Sequence, residues 1–444
     1  MKLQGTMKVN TAGHLEIGGC DATDLAREFG TPLYVMDETE IRKNCRRYVD
    51  SFKKYYPSSE VIYASKVFLT AAMCKLIEEE DIGLDVVSGG EIYTALSVGF
   101  PADRMYFHGN NKTCSELEMA LDARLGRIIV DNFTELDLLN HLAKEKKVRQ
   151  KILLRVSPGI DAHTHHYIKT GMIDSKFGMS IANGQALLGI EKALSMNNLE
   201  LKGVHCHIGS QIFDLDSYKE ASVTMMAFIN EIKAKTGFIC EELNLGGGLG
   251  IYYSEDDNPQ QIEHLVEVIT KTIKKLAAQY EISLPKIIVE PGRSIVGEAG
   301  TTLYTIGSIK DIPGVRKYVA VDGGMTDNPR PALYQAQYEA AIANKMDIAL
   351  EEVVSIAGKC CESGDMLIWD INLPPVETGD ILAVSSTGAY NYSMASNYNR
   401  NLKPAVIFVS NGTADIIVKR ETYQDLVSND VLPDRLKNKK VCSA

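Results

Sequence analysis

Between residues 60 and 295, short apolar or β-branched runs alternate with longer segments of helix-like spacing, and the alternation repeats eight times. The runs are Glu60–Ala64, Gly83–Val87, Arg104–Phe107, Arg127–Val130, Lys151–Val156, Leu201–His205, Glu242–Leu245 and Lys286–Val289. Helices are predicted over Thr70–Glu80, Gly90–Val98, Ser115–Leu121, Thr134–Lys144, Gly184–Ala193, Ser217–Lys235 and Pro259–Gln279, with Ser115-Glu116 and Thr134-Glu135 as helix starts. Eight strand–helix units in roughly 230 residues fit a closed (β/α)8 TIM-like barrel. A doubly wound open sheet is the runner-up, and the strand count favours the barrel.

Each run ends in polar or small residues, where a barrel carries its active site. In order these ends are Ser65-Lys66, Asp85 with Ser88-Gly89-Gly90, His108-Gly109-Asn110-Asn111-Lys112, and Asp131-Asn132. Then come Arg155, His205 with His207, Gly246-Gly247-Gly248, and Glu290-Pro291-Gly292-Arg293. The connection 157–180 is long and without periodicity, which suits a lid over the barrel mouth.

From about Ile295 the texture changes to short β-rich runs at Thr301–Lys310, Tyr318–Val321, Ala332–Tyr334, Glu352–Ala357, Asp380–Val384 and Ala405–Val409. A similar pattern around His14–Gly18 is expected to join them in space. A chain of 444 residues exceeds one hydrophobic core. The expected division is a barrel over 36–292 and a β-rich sandwich or barrel domain built from 1–35 and 293–444.

Charge excludes one class of function. With 47 basic and 58 acidic side chains the formal net charge is −11, which repels phosphate backbones and argues against nucleic acid. A small zwitterionic substrate remains compatible, because local charge can oppose net charge. No apolar run approaches the ~20 residues of a membrane helix, and the amino terminus has no signal-peptide pattern. Nine cysteines without a CxxC pair suit reduced thiols in the cytoplasm.

Lys66, at the end of the first run, is expected to point into the barrel mouth, where desolvation lowers its pKa and makes the amine nucleophilic. The competing reading is a surface lysine at a strand end. The glycine run at 246–248 can wrap a single phosphate, since glycine tolerates the positive φ such a cradle needs. It matches neither a P-loop nor a dinucleotide fingerprint. Glu290 suits a carboxylate that keeps a pyridine nitrogen protonated, against the alternative of a salt bridge to Arg155 or Arg293. Of His205 and His207, one is expected to face inward and stack on an aromatic cofactor. The histidines at 163, 165, 166, 205 and 207 raise a metal, but no carboxylate or cysteine set completes a site, so none is expected.

These residues resemble the fold-type III, alanine racemase-like pyridoxal-phosphate enzymes, and among them the diaminopimelate decarboxylase family. The motifs are Tyr-Ala-Ser-Lys (63–66), His-Gly-Asn-Asn-Lys (108–112), Gly-Ile-Asp-Ala-His-Thr-His (159–165), Asp-Ser-Lys-Phe-Gly (174–178) and His-Cys-His-Ile-Gly-Ser-Gln (205–211). The glycine run, Glu-Pro-Gly-Arg (290–293), Cys-Glu-Ser-Gly-Asp (361–365) and Gly-Ala-Tyr (388–390) follow in the family's order along nearly the whole chain.

The resemblance implies pyridoxal 5'-phosphate bound covalently to Lys66, His207 stacked on its ring and Glu290 at its nitrogen. It places Ser210, Gly248, the turn Glu290, Pro291, Gly292 and Arg293, and Tyr390 around the phosphate, with Asp85 and Arg155 behind Lys66 and the ring. It further implies a homodimer whose active sites are shared, Cys361 of one subunit donating a proton in the other. The reaction implied is decarboxylation of meso-2,6-diaminopimelate to L-lysine, the last step of lysine biosynthesis. Its distal amino-acid head needs a carboxylate clamp, for which Arg293, Arg330, Tyr334 and Tyr390 are candidates, and an ammonium acceptor, for which Glu362 is one. Pro329 and Pro331 around Arg330 suggest a fixed loop there. One departure is His-His-Tyr-Ile-Lys at 165–169, where many relatives carry an acid after the first histidine. The alternatives are a related decarboxylase acting on ornithine, arginine or carboxynorspermidine, an inactive decarboxylase-like regulator, and a metal-dependent barrel hydrolase.

Overall fold

The computed structural model describes residues 1–160 and 175–437. Eight parallel strands close into a barrel: β1 (Ser59–Ala64), β2 (Gly83–Val86), β3 (Met105–Phe107), β4 (Arg127–Val130), β5 (Gln150–Ser157), β6 (Leu199–His205), β7 (Glu242–Asn244) and β8 (Lys286–Val289). Each pairs with its successor, and β8 pairs with β1 through Val289 opposite Val61. Every predicted run of the barrel is a strand, with ends shifted by at most a few residues. The barrel interior is filled, not hollow: Ile62, Tyr106, Ile129, Leu153 and Ile288 pack together inside. Side chains of this kind contribute about 1.5–3 kcal/mol each when fully buried.

Helices follow the strands as predicted, but two caps lie earlier than expected. Thr113, not Ser115, caps the helix Cys114–Asp122 in a reciprocal box with Glu116. Asn132, not Thr134, caps Phe133–Glu145 by accepting from Glu135 N. In both cases the residue three before the first-turn glutamate is the one whose side-chain oxygen reaches an orphaned backbone N–H.

The second region is a mixed sheet built around the long strand Gly300–Ile312. Its first half pairs with Leu33–Asp37 and Ile381–Val384, and its second half with Arg316–Val321. The strand near the amino terminus is Leu15–Ile17, in a small three-stranded sheet, and Leu15 and Ile17 share a core with Leu303 and Ile407. Two predictions fail here. Ala332–Tyr334 is not a strand, and the Arg330 stretch is not a loop: Arg330–Tyr334 is a single helical turn. Proline in the first turn of a helix removes only an N–H that would have no partner there, and its fixed φ already fits. No helix among the described residues is long and apolar enough to cross a membrane. The expected lid lies mostly outside the described residues, with His163, His165 and His166 among them.

Candidate active site

A cavity of about 840 Å3 opens at the carboxyl ends of the barrel strands and reaches under the second region. At its floor Lys66 sits in a short turn, Ser65–Val67, directly after β1. Its side chain lines the cavity and is exposed within it. The turn is clasped from far along the chain, since Val67 O accepts from Tyr390 N at 2.9 Å and from Ser393 Oγ at 3.0 Å. Burial pulls the Lys66 ammonium down, but Tyr390, Asp85 and Glu290 outweigh it, so its pKa is raised. The expected lowering fails because the floor is anionic.

Glu290, at the end of β8, is buried and held on three sides. Its Oε1 accepts from Asn244 Nδ2 at 2.7 Å and lies 3.0 Å from His108 Nε2; its Oε2 lies 3.3 Å from His205 Nε2. Burial alone would favour the neutral acid, but His108 and His205 reverse it and hold the carboxyl well below its ordinary range. Asp85, at the end of β2, is shifted the other way: burial and the nearby Glu290 raise it, against His108, Lys66 and Arg155. Two buried carboxylates so close compete for the same cations. Burial pushes His205 down to about 4, which leaves it neutral near pH 7. Arg155 lies 3.8 Å from Asp131 and stacks 4.2 Å from the centre of the Phe177 ring.

His205 and His207 both line the cavity, which corrects the expectation that only one would face inward. Residues two apart on an extended segment share a face, and it is Cys206 between them that points away into the core. The glycine run also differs in detail. Gly246 N donates to Asn244 Oδ1 at 2.9 Å and Gly247 N to His207 Nδ1 at 3.3 Å, so these two amides are used within the protein. Gly248 alone of the three lines the cavity. Its φ is +113°, and a Cβ there would meet Gly209 O at 2.3 Å.

At the mouth, Arg293 Nη2 donates to Ser210 Oγ at 2.9 Å and Nη1 to Tyr253 Oη at 2.6 Å, with the guanidinium 4.9 Å from the Tyr390 ring centre. Arg330 stands 4.7 Å from the Tyr253 ring centre and donates to Tyr338 Oη at 2.6 Å. Tyr334 and Gly292 complete this part of the lining. Pro291 is outside the lining; its carbonyl accepts from Ala64 N at 3.1 Å. Cys361 and Glu362 are exposed on a turn outside the cavity, where Cys361 N donates to Asn399 Oδ1 at 2.8 Å and Glu362 Oε1 accepts from Gly364 N at 3.1 Å.

The sequence reading places His108 at the rim without giving it a role, and it omits Asn244, Tyr253 and Tyr338. His108 and Asn244 are polar residues at or just after apolar strands, a signal as strong as that of Asp85. Tyr253 and Tyr338 sit in segments without periodicity, and only the packing of two arginines against them marks them.

The model of the pyridoxal-dependent decarboxylase family's pyridoxal binding domain matches residues 39–297. Diaminopimelate decarboxylase of Bacillus subtilis (strain 168) is 56% identical over 431 residues, covering 97% of this chain and 98% of the relative. The chain belongs to the diaminopimelate decarboxylase family. Among solved structures, the family member from M. jannaschii in complex with L-lysine superposes with a TM-score of 0.91 at 39% identity, covering 97% of this chain and 99% of the other. The Helicobacter pylori member, also solved with L-lysine, gives 0.84 at 32% identity, with 91% and 98% covered. The barrel is therefore the family's pyridoxal-binding fold.

Proposed function

We propose that this chain converts meso-2,6-diaminopimelate to L-lysine and carbon dioxide, using pyridoxal 5'-phosphate held on Lys66. The observation that carries the reading is one cavity with a single lysine and an ionised, buried carboxylate at its floor and two buried arginines at its mouth. The residues present fit the cofactor. His108 Nε2 and Asp85 Oδ1 lack hydrogen-bond partners around Glu290 among the described residues, which leaves room for a protonated ring nitrogen. Gly248 borders the cavity with backbone alone, because a side chain there would clash with Gly209 O. When bound, the cofactor supplies an electron sink for the carbanion left as carbon dioxide departs.

The chain's own residues then divide the work. Lys66 would hold the cofactor by its aldehyde, Glu290 would favour a protonated ring nitrogen, and His207 would lie against the ring. Ser210, Gly248, the Glu290–Arg293 turn and Tyr390 hold the phosphate, while Asp85 and Arg155 orient Lys66 and the ring. Arg293, Arg330, Tyr334 and Tyr390 bind the substrate's carboxylate. Cys361 and Glu362, exposed outside their own cavity, serve the site of a second copy, the former delivering a proton and the latter binding the distal ammonium. A cytoplasmic homodimer and a division of the chain at residues 36 and 292 belong to the same proposal.

The test is an assay of the purified protein with diaminopimelate, ornithine, arginine and carboxynorspermidine, together with borohydride reduction and peptide mapping. Lysine from diaminopimelate and a label on Lys66 are expected. Turnover of ornithine with diaminopimelate inert, or a label elsewhere, would refute the assignment. Mixing Lys66→Ala with Cys361→Ala chains tests the shared site. Random pairing puts about half the dimers in mixed form with one intact site each, so about a quarter of the activity should return.

A further inference from the structure

At the cavity floor His108, His205 and Glu290 each offer one ligand atom, and the three atoms lie within 4.8 Å of one another. They come from the ends of three different barrel strands, β3, β6 and β8, and all three side chains are buried. His108 Nε2 is 3.0 Å from Glu290 Oε1 and 3.7 Å from Asp85 Oδ1, yet neither Nε2 nor Asp85 Oδ1 makes a hydrogen bond among the described residues. Asp131 Oδ1, 3.8 Å from Arg155 Nε, has none either. Four carboxylates, Asp85, Asp131, Glu135 and Glu290, thus face three cations, Lys66, Lys112 and Arg155. The floor is one positive charge short, and a buried carboxylate without compensation is costly. Two imidazoles and a carboxylate are also a donor set that suits zinc, cobalt or nickel.

We propose that in the cofactor-free protein His108, His205 and Glu290 bind one late first-row divalent cation, which takes the place of the cofactor's ring nitrogen, so that metal and cofactor exclude each other. His205 Nδ1 has no hydrogen-bond partner among the described residues, so it can carry the ring proton when Nε2 turns to the metal. Water from the open cavity completes the coordination shell. Lys66 and Arg155 stay nearby as ammonium and guanidinium, and the added cation changes the local balance from one negative to one positive charge. The exclusion rests on the cofactor reading above; the metal site itself does not.

The experiment adds cobalt(II) chloride to the full-length, cofactor-free chain and follows visible absorption and bound metal. One cobalt per chain is expected, with d–d bands but without the sulfur charge-transfer band that cysteine ligands give. Excess pyridoxal phosphate should abolish the d–d bands, and protein loaded beforehand should not develop them. His108→Gln should weaken cobalt binding at least about tenfold; the displacement measurement needs no variant and stands if that protein fails to fold. Absence of the d–d bands, a sulfur band, equal binding to loaded protein, or unchanged affinity in folded His108→Gln would each overturn the proposal. Cobalt bound to the triad in a protein that pyridoxal phosphate neither displaces nor labels at Lys66 would support the metal site and refute the cofactor reading.

Discussion

The floor and the mouth of the cavity are built differently. Floor residues sit at the ends of parallel strands, where the hydrogen-bonded ladder fixes each Cα and every side chain is placed by register: Lys66 after β1, Asp85 on β2, Asn244 on β7, Glu290 after β8. Mouth residues come from irregular segments and two one-turn helices, Arg293–Val296 and Arg330–Tyr334, and their arginines are held by tyrosines, through Arg293 to Tyr253 and Arg330 to Tyr338. On the proposed reading the floor holds charged groups in place for chemistry, while the mouth would offer cationic forks to an incoming carboxylate. Changes at the floor should strike turnover, and changes at the mouth should strike substrate capture.

The largest effect is expected from Lys66→Ala. Loss of turnover should be about a thousandfold or more, on the order of 4 kcal/mol in transition-state stabilisation, with no covalent label after borohydride reduction. Substantial turnover in this variant would erase the distinction, because the floor would not hold the reacting group. Glu290→Gln should lower kcat by about a hundredfold, the scale of one preorganised charged group, with diaminopimelate KM changed little; a pure KM effect would move Glu290 to the mouth's side of the division.

Lys66 also has a pH signature. Its pKa is raised, so at a given pH less of it is free amine than in an ordinary lysine. Cofactor capture by the cofactor-free protein should therefore quicken as pH rises, by about tenfold per unit while the amine is mostly protonated. Stopped-flow absorbance measures this, and a rate independent of pH from about 7 to about 9, below the ordinary lysine range, would show that protonation of Lys66 does not control it. At the mouth, Arg330→Lys keeps the charge but loses the planar fork and its stacking on Tyr253. Its KM should rise about tenfold, about 1.4 kcal/mol, with kcat nearly unchanged. An equal fall in kcat would blur the two regions into one.

The same division explains what was legible in the sequence. Strand ends are found by periodicity and by the sudden appearance of polar residues after apolar runs, so Lys66, Asp85, Arg155 and Glu290 could be named before any coordinates. The strand Met366–Leu373 escaped because its alternation breaks where Asp370 adopts a φ of +51° and the register with Glu352–Ala357 slips. The hairpin partner Thr413–Val418 was missed although Asn411-Gly412, both at positive φ, is a strong turn signal. Tyr253 and Tyr338 could not be found by pattern, because they matter through contacts between segments distant in the chain. Arg330 was found by chemistry, while its local conformation was misread by treating proline only as a breaker.

The clasp on Val67 bears on biogenesis. Ser393 is 326 positions beyond Val67, and Tyr390 closes the same turn. A ribosome extending this polypeptide finishes all eight barrel strands before it makes either residue. On the proposed reading, the group held on Lys66 would meet this clasp only after Tyr390 and Ser393 have been made, and a barrel without them would have its lysine but not the closed turn around it.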